Sequence, residues 1–220
     1  MNYRIFVTAL SILLSLNASS RADETAVSFN DSSILVGGTG SNVYGWEFSA
    51  SSDVQVTSLG VYDYFKGDGL LAQHAVGIWD VSDPSQLLVS AIIPAGNSAP
   101  IVQDFRFVDI SPVTLAGGHD YVVAALYQSD DNSVGSLNAP GWQLTVGPGL
   151  QFGGYRSGDL PTTALIFPVN YISGQEEAFG PNFTYNVVPE PSMPSLCVLG
   201  AVVLFFLRKN HALAFAHGSA

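Results

Sequence analysis

The chain has 220 residues, 47% of them hydrophobic, and a formal net charge of −11 at pH 7. Between Asp23 and Val188 it holds three basic residues against seventeen acidic ones, a formal charge of −14. A surface of that sign repels nucleic acid and anionic lipid, so neither is expected as a partner of the body of the chain. The single cysteine, Cys197, lies in a C-terminal apolar run, which excludes disulfides, a thiol nucleophile and cysteine metal sites from that body.

The first residues have the pattern of a secretory signal peptide. Arg4 supplies the positive charge, a mostly apolar run follows, and Ser20 and Ala22 are small residues at the −3 and −1 positions of a cleavage site. We therefore expect signal peptidase to remove residues 1–22, so that the mature protein begins at Asp23 outside the cytoplasm. The alternative is a first helix buried in the fold.

Residues 23–187 are predicted to form one domain of short β-strands. Tyr44, Trp46 and Phe48 alternate with small or polar residues, which is the period of two that a strand with one apolar face requires. The body sustains no apolar stripe of helical period, and glycine or proline interrupts it nearly every ten residues. These features predict an all-β, antiparallel β-sandwich or jelly roll. The predicted strands after the first are Val54–Tyr62, Gln73–Val81, Gln86–Ile93, Ile101–Ile110, Asp120–Tyr127 and Asn182–Val188.

Other parts of the domain are predicted to be less regular. Residues 23–40 are polar and glycine-rich and are expected to be a lead-in that contributes an edge strand. The imperfect alternation around Phe105 and Phe107 indicates a bulge near Val108. Gly141 to Gly158 is expected to be irregular. Ala164 to Tyr171 is expected to be a strand that lies at an edge or is interrupted, because of Pro161 and Pro168.

The C-terminal segment carries the most specific signal. Val188-Pro189-Glu190-Pro191-Ser192 is followed by a short apolar helix at about residues 195–207 and then by Arg208 and Lys209. Twelve apolar residues form a helix of about 18 Å, shorter than the roughly 30 Å hydrocarbon core. We expect a short transmembrane helix whose basic pair stays on the cytoplasmic side. A buried core helix is the alternative.

Residues 188–209 resemble the PEP-CTERM sorting signal of Gram-negative bacteria, in which a Pro-Glu-Pro motif precedes an apolar segment and a basic cluster. The resemblance implies recognition by an exosortase, cleavage near Pro189-Glu190-Pro191, and delivery to the cell surface or extracellular matrix. Residues 210–220 depart from the pattern, because such signals usually end near the basic cluster.

Gly45 to Tyr127 also resembles an uncharacterised β-sandwich domain that recurs in proteins with this sorting signal. The resemblance implies a fold and a cellular setting, and it implies no activity. It rests on Gly45-Trp46-Glu47-Phe48, Val56-Thr57-Ser58-Leu59-Gly60-Val61-Tyr62-Asp63, Gly67-Asp68-Gly69-Leu70, His74-Ala75-Val76-Gly77-Ile78-Trp79-Asp80, Phe105-Arg106 and Pro112-Val113-Thr114-Leu115.

The loop after Tyr62 suggests a calcium site. Asp63 and Asp68 could supply carboxylates beside loop carbonyls, which is the oxygen environment that calcium prefers. The spacing is not that of an EF-hand, and aspartate and glycine in a loop are also typical of plain turns. Both readings stay open.

Aromatic residues suggest a carbohydrate-binding surface. Tyr64, Phe65 and Trp142 lie in turn-rich stretches and are expected to be exposed, where they could stack on sugar rings. Trp46 and Trp79 lie on strand patterns and are expected in the core, because aromatic side chains bury large areas.

No catalytic motif is present in the sequence. His74 begins a strand and shares a face with Val76 and Ile78, so a packed, hydrogen-bonded histidine is expected there rather than a catalytic one. It could pair with Asp63 or Asp80, but no G-x-S-x-G elbow and no H-E-x-x-H run accompanies it. The sequence does not predict an enzyme, and a hydrolase is the least favoured function.

Together these patterns predict a secreted surface or matrix protein of a Gram-negative bacterium with a structural or adhesive role and exopolysaccharide as its partner. The alternative is a carbohydrate-binding module with a defined site, which could depend on calcium.

Overall fold

A computed structural model describes residues 23–30, 35–37, 41–64, 68–128, 133–135, 143–159, 162–176 and 179–189. These residues form β-strands and no helix. The strands are β1 (Glu24–Thr25), β2 (Val27–Phe29), β3 (Leu35–Gly37), β4 (Asn42–Ala50), β5 (Val54–Tyr62), β6 (His74–Asp80), β7 (Leu87–Ile93), β8 (Ile101–Val102), β9 (Phe105–Leu115), β10 (His119–Tyr127), β11 (Ser133–Gly135), β12 (Leu144–Val146), β13 (Leu150–Ser157), β14 (Asn170–Ser173) and β15 (Pro181–Val187).

Two antiparallel sheets contain most of these strands. One has five strands in the order β1-β15-β5-β9-β8, and the other has six in the order β14-β13-β4-β10-β6-β7. Two small two-stranded sheets, β11-β3 and β12-β2, complete the described elements. The prediction of an all-β, antiparallel fold is confirmed.

The inner faces of the two large sheets share one core. Trp46 and Phe48 of β4 are buried, as their alternation predicts. Both contact Phe183 of β15 in the five-stranded sheet, with ring centroids 6.1 and 5.0 Å away. Phe179 and Tyr185 are also buried in this cluster. Two curled sheets that share such a core are consistent with a β-sandwich.

The six-stranded sheet is covered on its outer face as well. Val122, Ala124 and Leu126 of β10 belong to a second buried cluster, and Leu165 and Phe167 pack against it. This explains why β10 is apolar at nearly every position rather than at alternate ones. The covering segment Thr162–Val169 belongs to no strand, so the strand predicted over Ala164 to Tyr171 is wrong for its first six residues. Its last two residues, Asn170 and Tyr171, begin the edge strand β14. We call Thr162–Val169 the strap.

Two further predictions need correction. Gly141 to Gly158 is not irregular throughout, because β13 lies inside the six-stranded sheet between β14 and β4. The bulge of β9 lies beyond Val108, which pairs regularly with Leu59. The register shifts where β9 passes from Asp109 to Val113 against β5, around Pro112, which lacks a backbone N–H.

The two ends of the paired sheets are distinct regions. We call one of them the terminal end: there β4 and β15 finish, and their antiparallel neighbours β10 and β5 begin. We call the other the distal end: there β9 and β15 begin and β5 finishes, and this end includes the loop that follows β5.

The chain divides into a unit of Met1–Val187 and a unit of Val188–Ala220, and all the described strands lie in the first. Several sequence predictions fall outside the described residues. They are the signal peptide (1–22), Phe65, Trp142, Glu190 and Pro191 of the sorting motif, the helix at about 195–207, Arg208, Lys209 and the tail (210–220). The described ranges hold no apolar helix of membrane-spanning length.

Candidate functional site

A buried ion pair organises the distal end. Asp63 follows β5 directly and is 0% exposed, and Arg106 of β9 is 4% exposed. The Nε of Arg106 donates to Oδ2 of Asp63 at 2.6 Å, and its Nη1 donates to the carbonyl of Ala99 at 2.8 Å. The pair therefore ties the loop after β5 to β9 and to the segment before β8.

Backbone hydrogen bonds hold the same loops together. The N–H of Asp63 donates to the carbonyl of Asp104 at 2.8 Å, and Leu70 and Gly96 exchange two hydrogen bonds. Gln103 and Asp104 form the β8–β9 turn with φ of 50° and 67°. Positive φ at both central residues is the geometry of a tight hairpin, and it is uncommon for residues other than glycine. The distal loops are thus fixed by their own contacts.

Large apolar side chains are exposed on these fixed loops. We call them the distal patch: Tyr64 at 45% exposure, Leu71 at 58%, Ile101 at 43% and Val102 at 48%. The exposure predicted for Tyr64 is confirmed. Asp68, four residues further along the chain, is also exposed.

The two aspartates of the calcium hypothesis lie in different environments. Asp63 is buried against Arg106, a cation that competes with any metal for its carboxylate, whereas Asp68 is exposed. Within the described part of the chain, no three His, Cys, Asp or Glu side chains lie close enough together to hold a metal ion.

The remaining sequence candidates lie in the core. His74 is 0% exposed, its Nδ1 is 3.0 Å from the carbonyl oxygen of Leu126, and its ring packs 4.9 Å from that of Tyr127. Trp46 and Trp79 are buried, as expected, and Trp46 Nε1 donates to the carbonyl of Pro181 at 2.8 Å. These residues stabilise the body.

The terminal end brings the first and last residues of the fold together. β1 pairs with β15, with Glu24 opposite Tyr185. The carboxylate of Asp23 accepts a hydrogen bond from Thr57 Oγ1 and another from Asn186 Nδ2, each at 2.6 Å. The chain therefore enters the five-stranded sheet beside the point where it leaves, at Val187.

A buried asparagine holds the entering segment further along. Asn182 is 0% exposed, and its Nδ2 donates to the carbonyl of Val27 at 2.8 Å. Its Oδ1 accepts from the N–H of Val27 at 3.2 Å and from that of Phe183 at 2.9 Å. The side-chain amide of Asn182 therefore joins the segment at Val27 to β15.

A second ion pair lies on the outer face of the six-stranded sheet. Nε of Arg156 donates to Oε2 of Glu47 at 2.9 Å, and Nη2 contacts the same oxygen. The guanidinium also stacks on Tyr171, 4.4 Å from its ring centroid. Arg106 and Arg156 are the only arginines or lysines among the described residues, so no such cation of the described body faces solvent unpaired.

Two side chains near the terminal end, Asp80 and Tyr121, have shifted pKa values. Hydrogen bonds from Ser82, chiefly from its hydroxyl, lower the pKa of Asp80 despite partial burial, and His119 adds to this effect. Burial raises the pKa of Tyr121, and the nearby Asp80 and Asp53 raise it further. The same interactions stabilise the charged form of Asp80 and the neutral form of Tyr121.

Sequence reasoning did not identify Arg106 and Asp23 as organising residues. Arg106 carried one usable signal, since it is one of three basic residues in an otherwise acidic body.

No protein-family model matches the chain, and no curated protein is similar enough in sequence to count as a match.

Proposed function

We propose that the protein is secreted, sorted through residues 188–209, and retained at the cell surface or in the extracellular matrix of a Gram-negative bacterium. Its all-β body acts there as a structural or adhesive element with exopolysaccharide as its partner. In this proposal signal peptidase removes residues 1–22 and an exosortase acts at Pro189-Glu190-Pro191.

The observation that carries this proposal is the closure of the fold between Asp23 and Val187. β1 begins at Glu24 and β15 ends at Val187, so both proposed cuts fall just outside paired strands. Every described strand lies between the two cuts, and β1 and β15 pair with each other. Removing both flanking segments would therefore leave every described strand in place. Both cuts would also occur at the terminal end, with the distal patch at the opposite end.

The proposal is tested by measuring the mass and location of the protein in its own host. We expect a mass that lacks both flanking segments, found in the surface or matrix fraction. Replacing Pro189, Glu190 and Pro191 with alanine should leave the C-terminal segment attached and hold the protein in the inner membrane. The neighbouring Ser192→Ala variant is the control and should be processed normally. An intact C-terminus in every variant would refute the sorting proposal.

A carbohydrate-binding module is the second candidate, favoured by the exposed Tyr64 in the distal patch. Stacking of a sugar face on this ring, with Asp68 accepting hydrogen bonds from hydroxyls, would place the ligand away from the terminal end. The acidic surroundings favour neutral or amino sugars over anionic ones.

Tyr64→Ala should weaken binding of the host exopolysaccharide about tenfold, equivalent to about 1.4 kcal/mol. Tyr171→Ala is a matched control, since Tyr171 is 42% exposed but lies on β14.

Adding a metal chelator to the parent protein tests whether the site depends on calcium. Loss of binding or of thermal stability on chelation would support a calcium-dependent site, and no change in either would count against one. Equal affinities for both tyrosine variants would remove the distal patch as the binding surface.

A further inference from the structure

The edges of the two large sheets differ greatly in length. The five-stranded sheet ends in β1 and β8, each of two residues, and one edge of the six-stranded sheet is β14, of four. The remaining edge is β7, of seven residues. Short edge strands are a common protection against unwanted pairing, because they offer few free backbone groups. β7 lacks that protection.

β7 also lacks the side chains that usually block an edge. Its sequence, Leu87-Leu88-Val89-Ser90-Ala91-Ile92-Ile93, has no charge, proline or glycine. In the five-stranded sheet β9 pairs with β8 only at Phe105 and Arg106, so most of its outer edge lies outside any described ladder. Unlike β7, however, β9 carries a charge, Asp109, and a proline, Pro112, on that stretch. Ile92 is 54% exposed and Leu87 is 40% exposed. Among the described residues, β7 is hydrogen-bonded in a ladder with β6 only.

The charges around β7 identify the partner that fits this edge. Asp80 and the exposed Asp83 lie near its N-terminal end, whereas the segment 94–100 beyond its C-terminal end is uncharged. In an antiparallel pair of two copies, the acidic end of each strand would meet the uncharged end of the other. A two-fold axis requires that arrangement, because the same patch must serve both copies. Contacts elsewhere would bring together acidic surfaces, which repel.

We infer that β7 is a self-association edge, through which two copies of the chain pair antiparallel and join their six-stranded sheets. The paired strands satisfy the outward backbone groups of β7 and bury Ile92 and Leu87 of both copies. This inference does not depend on the proposed sorting or on carbohydrate binding.

The test is the oligomeric state of the purified protein, as its host processes it, by analytical ultracentrifugation over a range of concentrations. We expect a monomer–dimer equilibrium that Ile92→Lys shifts to monomer, because a lysine on an edge strand opposes pairing. Val169→Lys is the matched control, since Val169 is also 54% exposed but lies on the strap. This variant should dimerise like the parent.

Ser90→Lys, at an exposed position of the same strand, serves if Ile92→Lys does not fold. Amide hydrogen exchange gives an independent readout, since protection of β7 should rise with protein concentration while that of β14 should not. A parent protein that stays monomeric at its highest soluble concentration would overturn the inference. So would a dimer that survives both lysine substitutions in β7, or one that is also lost in Val169→Lys.

Discussion

The distal and terminal ends of the body are held together by different kinds of interaction. At the distal end, the loops converge on the Asp63–Arg106 pair, which is almost wholly out of water. At the terminal end, the chain ends are joined by two exposed hydrogen bonds that the carboxylate of Asp23 accepts and by the pairing of the two-residue strand β1 with β15. Buried charges are costly to separate, whereas exposed hydrogen bonds exchange readily with water. The distal patch is therefore rigidly supported, and the junction with the flanking segments is lightly held.

Breaking the buried pair should have the largest effect. Arg106→Met leaves the Asp63 carboxylate buried without its cation and should lower the free energy of unfolding by about 3–5 kcal/mol, as measured by urea denaturation. The double variant Asp63→Leu/Arg106→Met removes both charges and should recover much of that loss. A single variant as stable as the parent would show that the distal end is not held by this pair.

Removing the amide of Asn182 should have the next largest effect. Asn182→Ala leaves the N–H and carbonyl of Val27 without their side-chain partner. It should lower the free energy of unfolding, measured by urea denaturation, by about 2 kcal/mol. Asn186→Ala, on the same strand, is the control. It removes one exposed hydrogen bond, from Nδ2 to the carboxylate of Asp23, and should lower the free energy of unfolding by less. Equal losses would mean that burial of these hydrogen bonds does not matter.

Asp23→Ala tests the terminal end directly. It removes two exposed hydrogen bonds and should lower the free energy of unfolding by about 1 kcal/mol. Hydrogen exchange should increase at β1 and at the end of β15, while the distal loops stay protected. If protection also fell at the distal loops, the two ends would not be independent.

The smallest effect is expected from Asp80, also near the terminal end. Its folded pKa lies below the ordinary value, so its stabilisation is present above about pH 4 and is lost as pH falls through the folded pKa. Near neutral pH the free energy of unfolding of the parent should exceed that of Asp80→Asn by at most about 0.5 kcal/mol. Plotted against pH, the two free energies should converge in acid. A constant difference at all pH values would exclude a role for the charge.

The strands with a clear period of two were predictable from the sequence, and the bounds of β5 were predicted to the residue. β13 was not, because its Gly153-Gly154 pair is typical of a loop. In the structure, a Cβ at Gly154 would collide with the carbonyl of Ile172, so the close approach of β14 requires glycine there. The strap was taken for a strand because it is rich in apolar residues. In the structure Leu165 and Phe167 of the strap cover the six-stranded sheet without pairing with it.

The candidate site was predictable only in part. Tyr64 and Asp68 were identified from turn composition, which also predicts exposure. The Asp63–Arg106 pair was not, because it depends on the register of β5 against β9, which places Arg106 opposite Val61. Periodicity within one strand carries no information on which residues of another strand lie beside it. The meeting of Asp23 with Asn186 has the same origin.

The burial of both arginines has a consequence for proteolysis. Trypsin-like proteases cut after arginine or lysine, and between Asp23 and Val188 they would find Lys66, Arg106 and Arg156 alone. The two arginines are inaccessible while the body is folded, so digestion beyond Lys66 would report unfolding. Even after unfolding, the fragments would be as long as 67–106 and 107–156, too long for routine peptide mass spectrometry. The scarcity of Lys and Arg would therefore make the protein easy to overlook in tryptic surveys, and a protease that cuts at acidic residues would reveal it.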